Sequence, residues 1–359
     1  MRMPFSLLTG AFVAALFGVA SPANAQYTYT TIDPQGSLSS SAVAINNAGE
    51  VAGTYFNGTT YLGFTEETGN YSTFSIADST RVTSLNDAGY IAGYYENAAG
   101  ATTAFVDDGE NYTSVDPLGS DFSVVNAINS SGEAAGSVLN GSTAIGFTYG
   151  GGNYSLISPA GSLDTSVVGI NNSGDVVGNI VNGGTSTGFI DNGGVLTTVE
   201  SFGSTFVQVT GIDDASDVIG FYLSGDTSLG FMDRAGVYTT IDPFGSGYSE
   251  ALAINDAGDV AGIYSEGSND IGALGFVDVG GYYTTINPPG SMFTFISSIN
   301  DAGDVAGYYQ NANQHYVAFI ATPAPESSSL FTFGILLAAA SALLTVGRKR
   351  KSLNTSPIA

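Results

Sequence analysis

Carboxylates, one imidazole and a set of tyrosines are the side chains of this sequence that could do chemistry. Asn255 to Asp259 and Asn300 to Asp304 both read Asn-Asp-Ala-Gly-Asp, the beginnings of a calcium loop. Calcium takes about six to eight oxygens, with a bidentate glutamate downstream. Each turn offers two carboxylates at most and no such glutamate, and Asn129-Ser130-Ser131-Gly132-Glu133 offers fewer. A tight hairpin explains these segments better: Asn and Asp bond their own backbone, and Gly accepts positive φ. No metal site is therefore expected.

Two acids roughly 5–10 Å apart would suit glycoside hydrolysis. Most acids here occur at repeat-equivalent positions: Asp33, Asp116 and Asp242 before proline, and Asp175, Asp217, Asp259 and Asp304 after the turn. They read as turn formers and solvated surface, so no catalytic residue is assigned. His315 lies alone in a loop, and a general base needs an orienting partner. Tyr55, Tyr94, Tyr222, Tyr264 and Tyr308 fall near loops of variable length. With Asp116 and Asp242 they are the candidate binding residues, because tyrosines can stack on sugars; the competing reading packs them between strands.

The elements that must position these residues repeat. Ile45-Asn46-Asn47-Ala48-Gly49-Glu50-Val51-Ala52-Gly53 returns from Leu85, Ile128, Ile170, Ile212, Ile254 and Ile299, at spacings of 40, 43, 42, 42, 42 and 45 residues. A Gly-Phe or Ala-Phe pair follows about 20 residues later, at Phe64, Phe105, Phe147, Phe189, Phe231, Phe276 and Phe319. A third landmark, Tyr-Thr-Thr-Ile or a variant, begins at Tyr29, Tyr71, Tyr112, Tyr154, Leu196, Tyr238 and Tyr283. Four short β-patterned stretches per period match a propeller blade. In one unit the strands are expected at Ser249 to Ile254, Asp259 to Tyr264, Leu274 to Val279 and Tyr282 to Ile286.

The order of landmarks at the two ends distinguishes a ring from an open array. The last repeat lacks its Tyr-Thr-Thr-Ile strand, and the chain begins with one, Tyr29 to Ile32. The fold expected is all-β: a seven-bladed β-propeller over 27–320, closed by the N-terminal strand, which leaves no unpaired edge. The residue before each landmark Ile or Leu is small (Ala44, Ser84, Ala127, Gly169, Gly211, Ala253, Ser298), as expected where inner strands converge on an axis. Seven second-strand glycines, Gly53, Gly93, Gly136, Gly178, Gly220, Gly262 and Gly307, imply a bulge or a close backbone approach.

Composition excludes several functions. Net charge is −25, with 32 acidic and 7 basic residues, no Cys, one His and 49 Gly. Within 27–322 only Arg81 and Arg234 are basic, against 31 acids. That surface has no basic face for phosphates, so no nucleic acid is expected as a partner. Without cysteine there is no disulfide, thiolate metal site or thiol nucleophile. No glycine pair opens a helical segment, so no phosphate-loop cofactor site is expected, and cofactors are read as none.

The two ends read as addresses. Arg2, the apolar run Leu7 to Ala20 and Ala23-Asn24-Ala25 describe a signal peptide over 1–25, cleaved between Ala25 and Gln26 by the secretion machinery. Leu330 to Gly347 is an uncharged run of 18 residues ahead of Arg348, Lys349, Arg350 and Lys351. As a helix it would be about 27 Å long, enough to cross a membrane. The basic cluster and the tail 352–359 would then be cytoplasmic, and the repeats extracytoplasmic.

Together, Pro323 to Ser327, the apolar run and the basic cluster of 323–351 resemble the PEP-CTERM sorting signal of bacterial exported proteins. That signal also carries an "ice-binding protein C-terminal" label. The motif is carried here by Pro325 and Glu326, with Ser327 where the family has proline. The resemblance implies that an exosortase-type protease cuts near the motif and releases the protein or transfers it to the cell surface. The repeats are similar to a bacterial extracellular family named after a His-Ala-Phe triplet; here that position reads Leu62-Gly63-Phe64, Thr103-Ala104-Phe105 or Val317-Ala318-Phe319. The reading that results is a non-enzymatic, exported binding or scaffold protein at the cell surface, contacting exopolysaccharide or another surface partner. A glycan lyase or hydrolase is the alternative, and ice or surface binding the third reading.

Overall fold

The computed structural model describes residues 27–199, 202–267 and 272–324. The expected signal peptide with Ala25 and Gln26, the sorting residues Pro325 and Glu326, the span 330–347 and Arg348 to Lys351 lie outside these residues. Among the described residues there are 28 strands, β1 to β28 in chain order, and one 3-10 turn at Pro243–Gly245. They form seven four-stranded antiparallel sheets, a seven-bladed β-propeller. Blade one holds β2 (Ser39–Ile45), β3 (Val51–Phe56), β4 (Tyr61–Glu67) and β5 (Asn70–Phe74), with β2 innermost. Blades two to six repeat this order. In blade six the third and fourth strands span Leu274–Val279 and Tyr282–Ile286, the bounds expected.

Each blade rests on one local device. The innermost strand carries a bulge, at Val43 in blade one and at the matching residue of every other blade. The bulge turns a carbonyl inward over the second-strand glycine. A Cβ at Gly220 would lie 2.0 Å from the Gln208 carbonyl oxygen, and one at Gly53 2.3 Å from that of Ser41. Directly across the next strand pair stands the landmark phenylalanine, Phe64 opposite Gly53 and Phe231 opposite Gly220. In five blades its ring comes within 3.0 Å of where a Cβ on the glycine would stand, and all seven such rings are fully buried. A bulge, a glycine and a phenylalanine thus form one packed unit, repeated seven times.

Apolar clusters join each blade to the next. Ala135 and Ile157 of blade three, for example, pack with Val167, Val176 and Phe189 of blade four. The small residues before the landmark Ile or Leu belong to the same seams. Ser84 and Ser298 accept hydrogen bonds from the Ile128 and Ile45 backbone N–H groups of the next blade, both at 3.3 Å. A Cβ at Gly169 would lie 3.3 Å from Cγ2 of Ile212. The crowding that keeps these positions small comes from the neighbouring inner strand, as convergence implies, and from the second strand of the same blade, where Val177 Cγ2 would lie 3.0 Å from a Cβ at Gly169.

Closure follows the expected order. Blade seven is built from β26 (Ser291–Ile299), β27 (Val305–Asn311), β28 (Tyr316–Pro323) and, outermost, β1 (Tyr27–Ile32). The ladder runs antiparallel from Tyr27 opposite Pro323 to Ile32 opposite Ala318. The Tyr27 hydroxyl donates to the Gly303 carbonyl at 3.3 Å.

Two tests follow from the packing and the closure. Gly220→Ala forces the Gln208 carbonyl and the Phe231 ring apart, and overpacking of this kind destabilises by about 1–3 kcal/mol. A thermal melt indistinguishable from wild type would contradict the packed unit. Burial, reinforced by the Asp259 and Asp304 charges, pushes the Tyr27 hydroxyl up to about 12. The folded state thus favours the neutral phenol, so this stabilisation is complete below about pH 10 and lost as pH rises through 12. In a spectrophotometric titration the last tyrosine step should vanish in Tyr27→Phe, and the variant's stability should fall less steeply over that window. An unchanged last step would assign it to another tyrosine.

Candidate functional site

The loops between blades and those between second and third strands share one face, and the candidate residues lie at or near it. The interblade turn before blade three is braced by Asp116, whose Oδ1 accepts from the Ser120 N–H at 3.0 Å. Asp242 does the same before blade six, accepting from the Gly247 N–H at 3.1 Å and the Ser246 hydroxyl at 3.3 Å. One oxygen of each aspartate is therefore committed to the turn. Outer-strand tyrosines hold these turns from the side: the hydroxyls of Tyr71 and Tyr29 accept from the Asp33 and Asn287 N–H groups at 3.2 and 3.0 Å. This explains the tyrosine of the Tyr-Thr-Thr-Ile landmark.

The five candidate tyrosines do not form one ring. Tyr55, Tyr222 and Tyr264 stand two residues after the second-strand glycine, on the same strand face as its phenylalanine. Tyr94 and Tyr308 stand one residue after it, on the opposite face. Tyr55 is buried at 5% exposure, tilted against Phe64. Tyr264 is buried too, with its hydroxyl 2.8 Å from Oγ1 of Thr285. Tyr222 stacks on Phe202 with ring centroids 4.3 Å apart. Tyr94 is half-buried directly across the strand pair from Arg81. Tyr308 is half-buried, stacked on Phe295 at 5.1 Å and edge-on to Tyr316 at 5.4 Å.

Two clefts open among these residues. The larger, about 550 Å³, lies between blades five and six and is lined by Phe244, Ser246, Tyr264, Glu266 and Thr285. Phe244 holds φ at +59° and is 60% exposed, with its ring 5.3 Å from that of Tyr264. A bulky residue in the left-handed region is strained, and the Tyr264 and Tyr283 rings hold it there. The second cleft, about 320 Å³, joins blades seven, one and two. Ser39, Ser41, Thr54, Tyr61, Arg81, Tyr308 and Tyr316 line it. Burial, with Tyr316 beside it, raises Tyr308 above the ordinary phenol value. Glu266 is the one carboxylate among the residues lining the two clefts.

The opposite face carries a polar mouth on the axis, lined by the first two residues of every Asn-x-x-Gly turn. In six of the seven blades the first residue, an asparagine, works twice. The Asn86 side-chain oxygen accepts from the Ala88 and Tyr90 N–H groups at 3.0 and 2.8 Å, closing its own turn. Its amide then donates to the Asn129 carbonyl of the next blade at 2.9 Å. Asn46, Asn129, Asn171, Asn255 and Asn300 donate in the same way, at 2.9–3.3 Å, and Asn300 reaches back to Asn46. At Asp213 the ring lacks a donor. Outside this break, Arg234 of blade five pairs with Asp217 at 2.8 Å and donates to the Gly258 carbonyl of blade six at 3.0 Å. The second ring position holds Asp87, Asp214, Asp256 and Asp301, which accept backbone N–H bonds from the preceding blade where described.

Sequence reasoning passed over Asp213, Arg234 and Arg81. The signal was present: Asp213 and Ser216 break a pattern that reads Asn and Gly in the other six turns, and two cations stand out among 31 acids. His315 is exposed, its backbone N–H donating to Asn311 Oδ1 at 3.1 Å. Among the described residues no three acidic or imidazole side chains gather closely enough to hold a metal ion.

The broken ring yields a test. Burial, with the Asp217 and Asp256 charges adding to it and backbone N–H donors opposing, holds the Asp213 carboxyl above its ordinary value. The folded state binds this proton more tightly than the unfolded chain. Its contribution to stability is therefore present below the ordinary carboxylate range and lost as pH rises through the raised value. Asp213→Asn supplies the missing donor and should stabilise by about 1 kcal/mol near neutrality. The gain should shrink as pH falls through that raised value, where the wild-type carboxyl takes up its proton. Urea melts showing no gain at neutral pH would refute this reading of the ring.

No protein-family model matches the chain, and no curated protein matches it by sequence. Solved structures do match. The β-propeller domain of the trilobed protease from Pyrococcus furiosus superposes with a TM-score of 0.59 at 11% identity, over 79% of this chain and 94% of that one. A catalytically inactive virginiamycin B lyase from Staphylococcus aureus, solved with quinupristin, gives 0.55 at 10% identity, over 83% and 99% of the two chains. The acylaminoacyl peptidase of Pyrococcus horikoshii gives 0.54 at 10% identity, over 82% of this chain and 53% of the peptidase. At these identities what the chain shares with all three is its fold.

Proposed function

We propose that this protein is exported and acts as a non-enzymatic binding scaffold at the cell surface or in the extracellular matrix, contacting exopolysaccharide or another surface partner. The observation that carries the binding half is the pair of clefts, where tyrosine rings and hydroxyl groups line pockets on a rigid closed ring. Rings offer apolar faces to sugars and hydroxyls offer hydrogen bonds, and such pockets suit small ligands at about 300–1,000 Å³. The lyase or hydrolase alternative draws less support, because a paired-acid mechanism needs two carboxylates. Glu266 has no second acid among the residues lining its cleft, and Asp116 and Asp242 are engaged in turns. Ice binding would want a flat array of threonines, and the described sheets are separate blades.

The address half rests on residues 1–25 and 323–351. Its partners are the secretion machinery, an exosortase-type protease and the membrane itself. Mass spectrometry of cytosolic, membrane, surface and medium fractions tests it. The expected product begins at Gln26 and is either membrane-bound with its basic tail or cut near Pro325 to Ser327. Protein retaining Met1 in the cytosolic fraction would overturn export. For binding, glycan arrays and matrix pull-downs should retain the mature protein above an equally acidic control, and equal retention would overturn the reading.

A further inference from the structure

We propose that the cleft joining blades seven, one and two is a subsite for a carboxylated sugar, a uronic acid unit within an acidic polysaccharide. The proposal rests on the saccharide-binding reading above and specifies its ligand. It starts from Arg81. In a body with 31 acids this arginine has no described carboxylate within ion-pair distance, whereas Arg234 is paired with Asp217. No described residue takes a hydrogen bond from its guanidinium; its recorded partner is the Tyr61 ring, 3.3 Å below Cζ.

That stacking matters for what the group can bind. With Cζ 3.3 Å from the ring centroid and no described acceptor on its nitrogens, the N–H donors along the guanidinium edge are left for a ligand. A carboxylate matches this edge with two parallel hydrogen bonds. Nothing lining the cleft competes for it: the other residues there contribute hydroxyls and tyrosine rings, and no carboxylate. Burial keeps the Tyr308 phenol neutral well past physiological pH, so it adds no negative charge.

The rest of the cleft suits the remainder of a pyranose. Tyr308 and Tyr316 meet edge-to-face at its blade-seven side and present ring surface to the apolar face of a sugar. Ser40 has its proton committed to the Ile32 carbonyl and also accepts from the Ala318 N–H, both at 3.0 Å. Ser39 keeps acceptor capacity after donating to the Tyr316 carbonyl. The protein's overall negative charge opposes an anionic ligand at long range. At physiological salt that repulsion is screened beyond about 8 Å, leaving the local arginine to decide.

The matching position of the other inner strands shows that the cation is particular to this cleft. The residues whose carbonyls lie over the second-strand glycines are Ser41, Arg81, Val124, Ser166, Gln208, Glu250 and Phe295. One of seven equivalent sites carries a positive charge, and it is the one beside paired tyrosines.

The test uses the mature protein with three oligosaccharides of one length: an oligogalacturonate, its methyl ester and a neutral galactose oligomer. Calorimetry should show the oligogalacturonate binding at least tenfold more tightly than the ester or the neutral sugar. Arg81→Gln should abolish that preference, and Arg81→Lys should restore it in part. Tyr308→Ala should weaken all three ligands together. Wild-type protein that binds acid and ester equally would overturn the proposal, and this comparison needs no variant to fold. If neutral sugars bind and acidity adds nothing, the proposal fails and the scaffold reading survives. If no saccharide binds to wild type here or on a wider array, both fail.

Discussion

A single hydrogen bond, from an asparagine amide to the main-chain carbonyl of the next blade, is the interaction around which the ring is arranged. Asn86 shows its economy: the oxygen end of the side chain folds its own hairpin, and the nitrogen end reaches Asn129. Local turn and global assembly are therefore set by one residue type, and the two cannot be formed in conflicting registers. An aspartate can perform the first task and, when ionised, not the second. At Asp213 the fold departs from its own rule, and the neighbouring Arg234 ties the same two blades by another route.

The bulge, glycine and phenylalanine unit carries the blades, as the asparagines carry the ring. Bulge residues with polar side chains extend it outward: Thr83, Asn126 and Thr210 donate to inner-strand carbonyls of the next blade at 2.7, 2.6 and 2.7 Å. Because the scaffold is held by backbone-directed bonds and apolar seams, most of its acids are left to turns and the surface. Glu66, Asp175, Asp213 and Asp233 are buried, and each accepts hydrogen bonds there, Asp175 from Ser216 of the next blade. This is consistent with a rigid body whose variable loops differ from blade to blade while the frame does not.

Most of the fold was legible because the repeat shows the same physical requirement seven times. The strand bounds Leu274–Val279 and Tyr282–Ile286, the glycines and the closing strand could all be read from periodicity and landmark order. The reason for the small residues could be read only in part, because crowding by the next blade's inner strand and by the second strand of the same blade leave the same mark on composition. The site was less legible. Tyr55 and Tyr308 are adjacent in kind but stand on opposite faces of their strands, and one residue of offset separates a buried ring from a cleft wall. Arg81 was visible as an exception in charge, yet its stacking on Tyr61 depends on two blades meeting, which no linear pattern records.

The closing strand has a consequence in time. β1 is made first, and its partner β28 begins at Tyr316, so the last ladder must wait for nearly the whole chain. At synthesis rates of about 5–20 residues per second that wait is roughly 15–60 s. During it Tyr-Thr-Tyr-Thr-Thr-Ile has no partner, and blade seven is the last that can be completed. The sequence of that strand suits the delay. Its tyrosines and threonines alternate half-buried and exposed even in the finished sheet, with only Ile32 fully enclosed. A strand that stays polar while it waits offers newcomers little to adhere to, and the ring is sealed by a segment that tolerates being early.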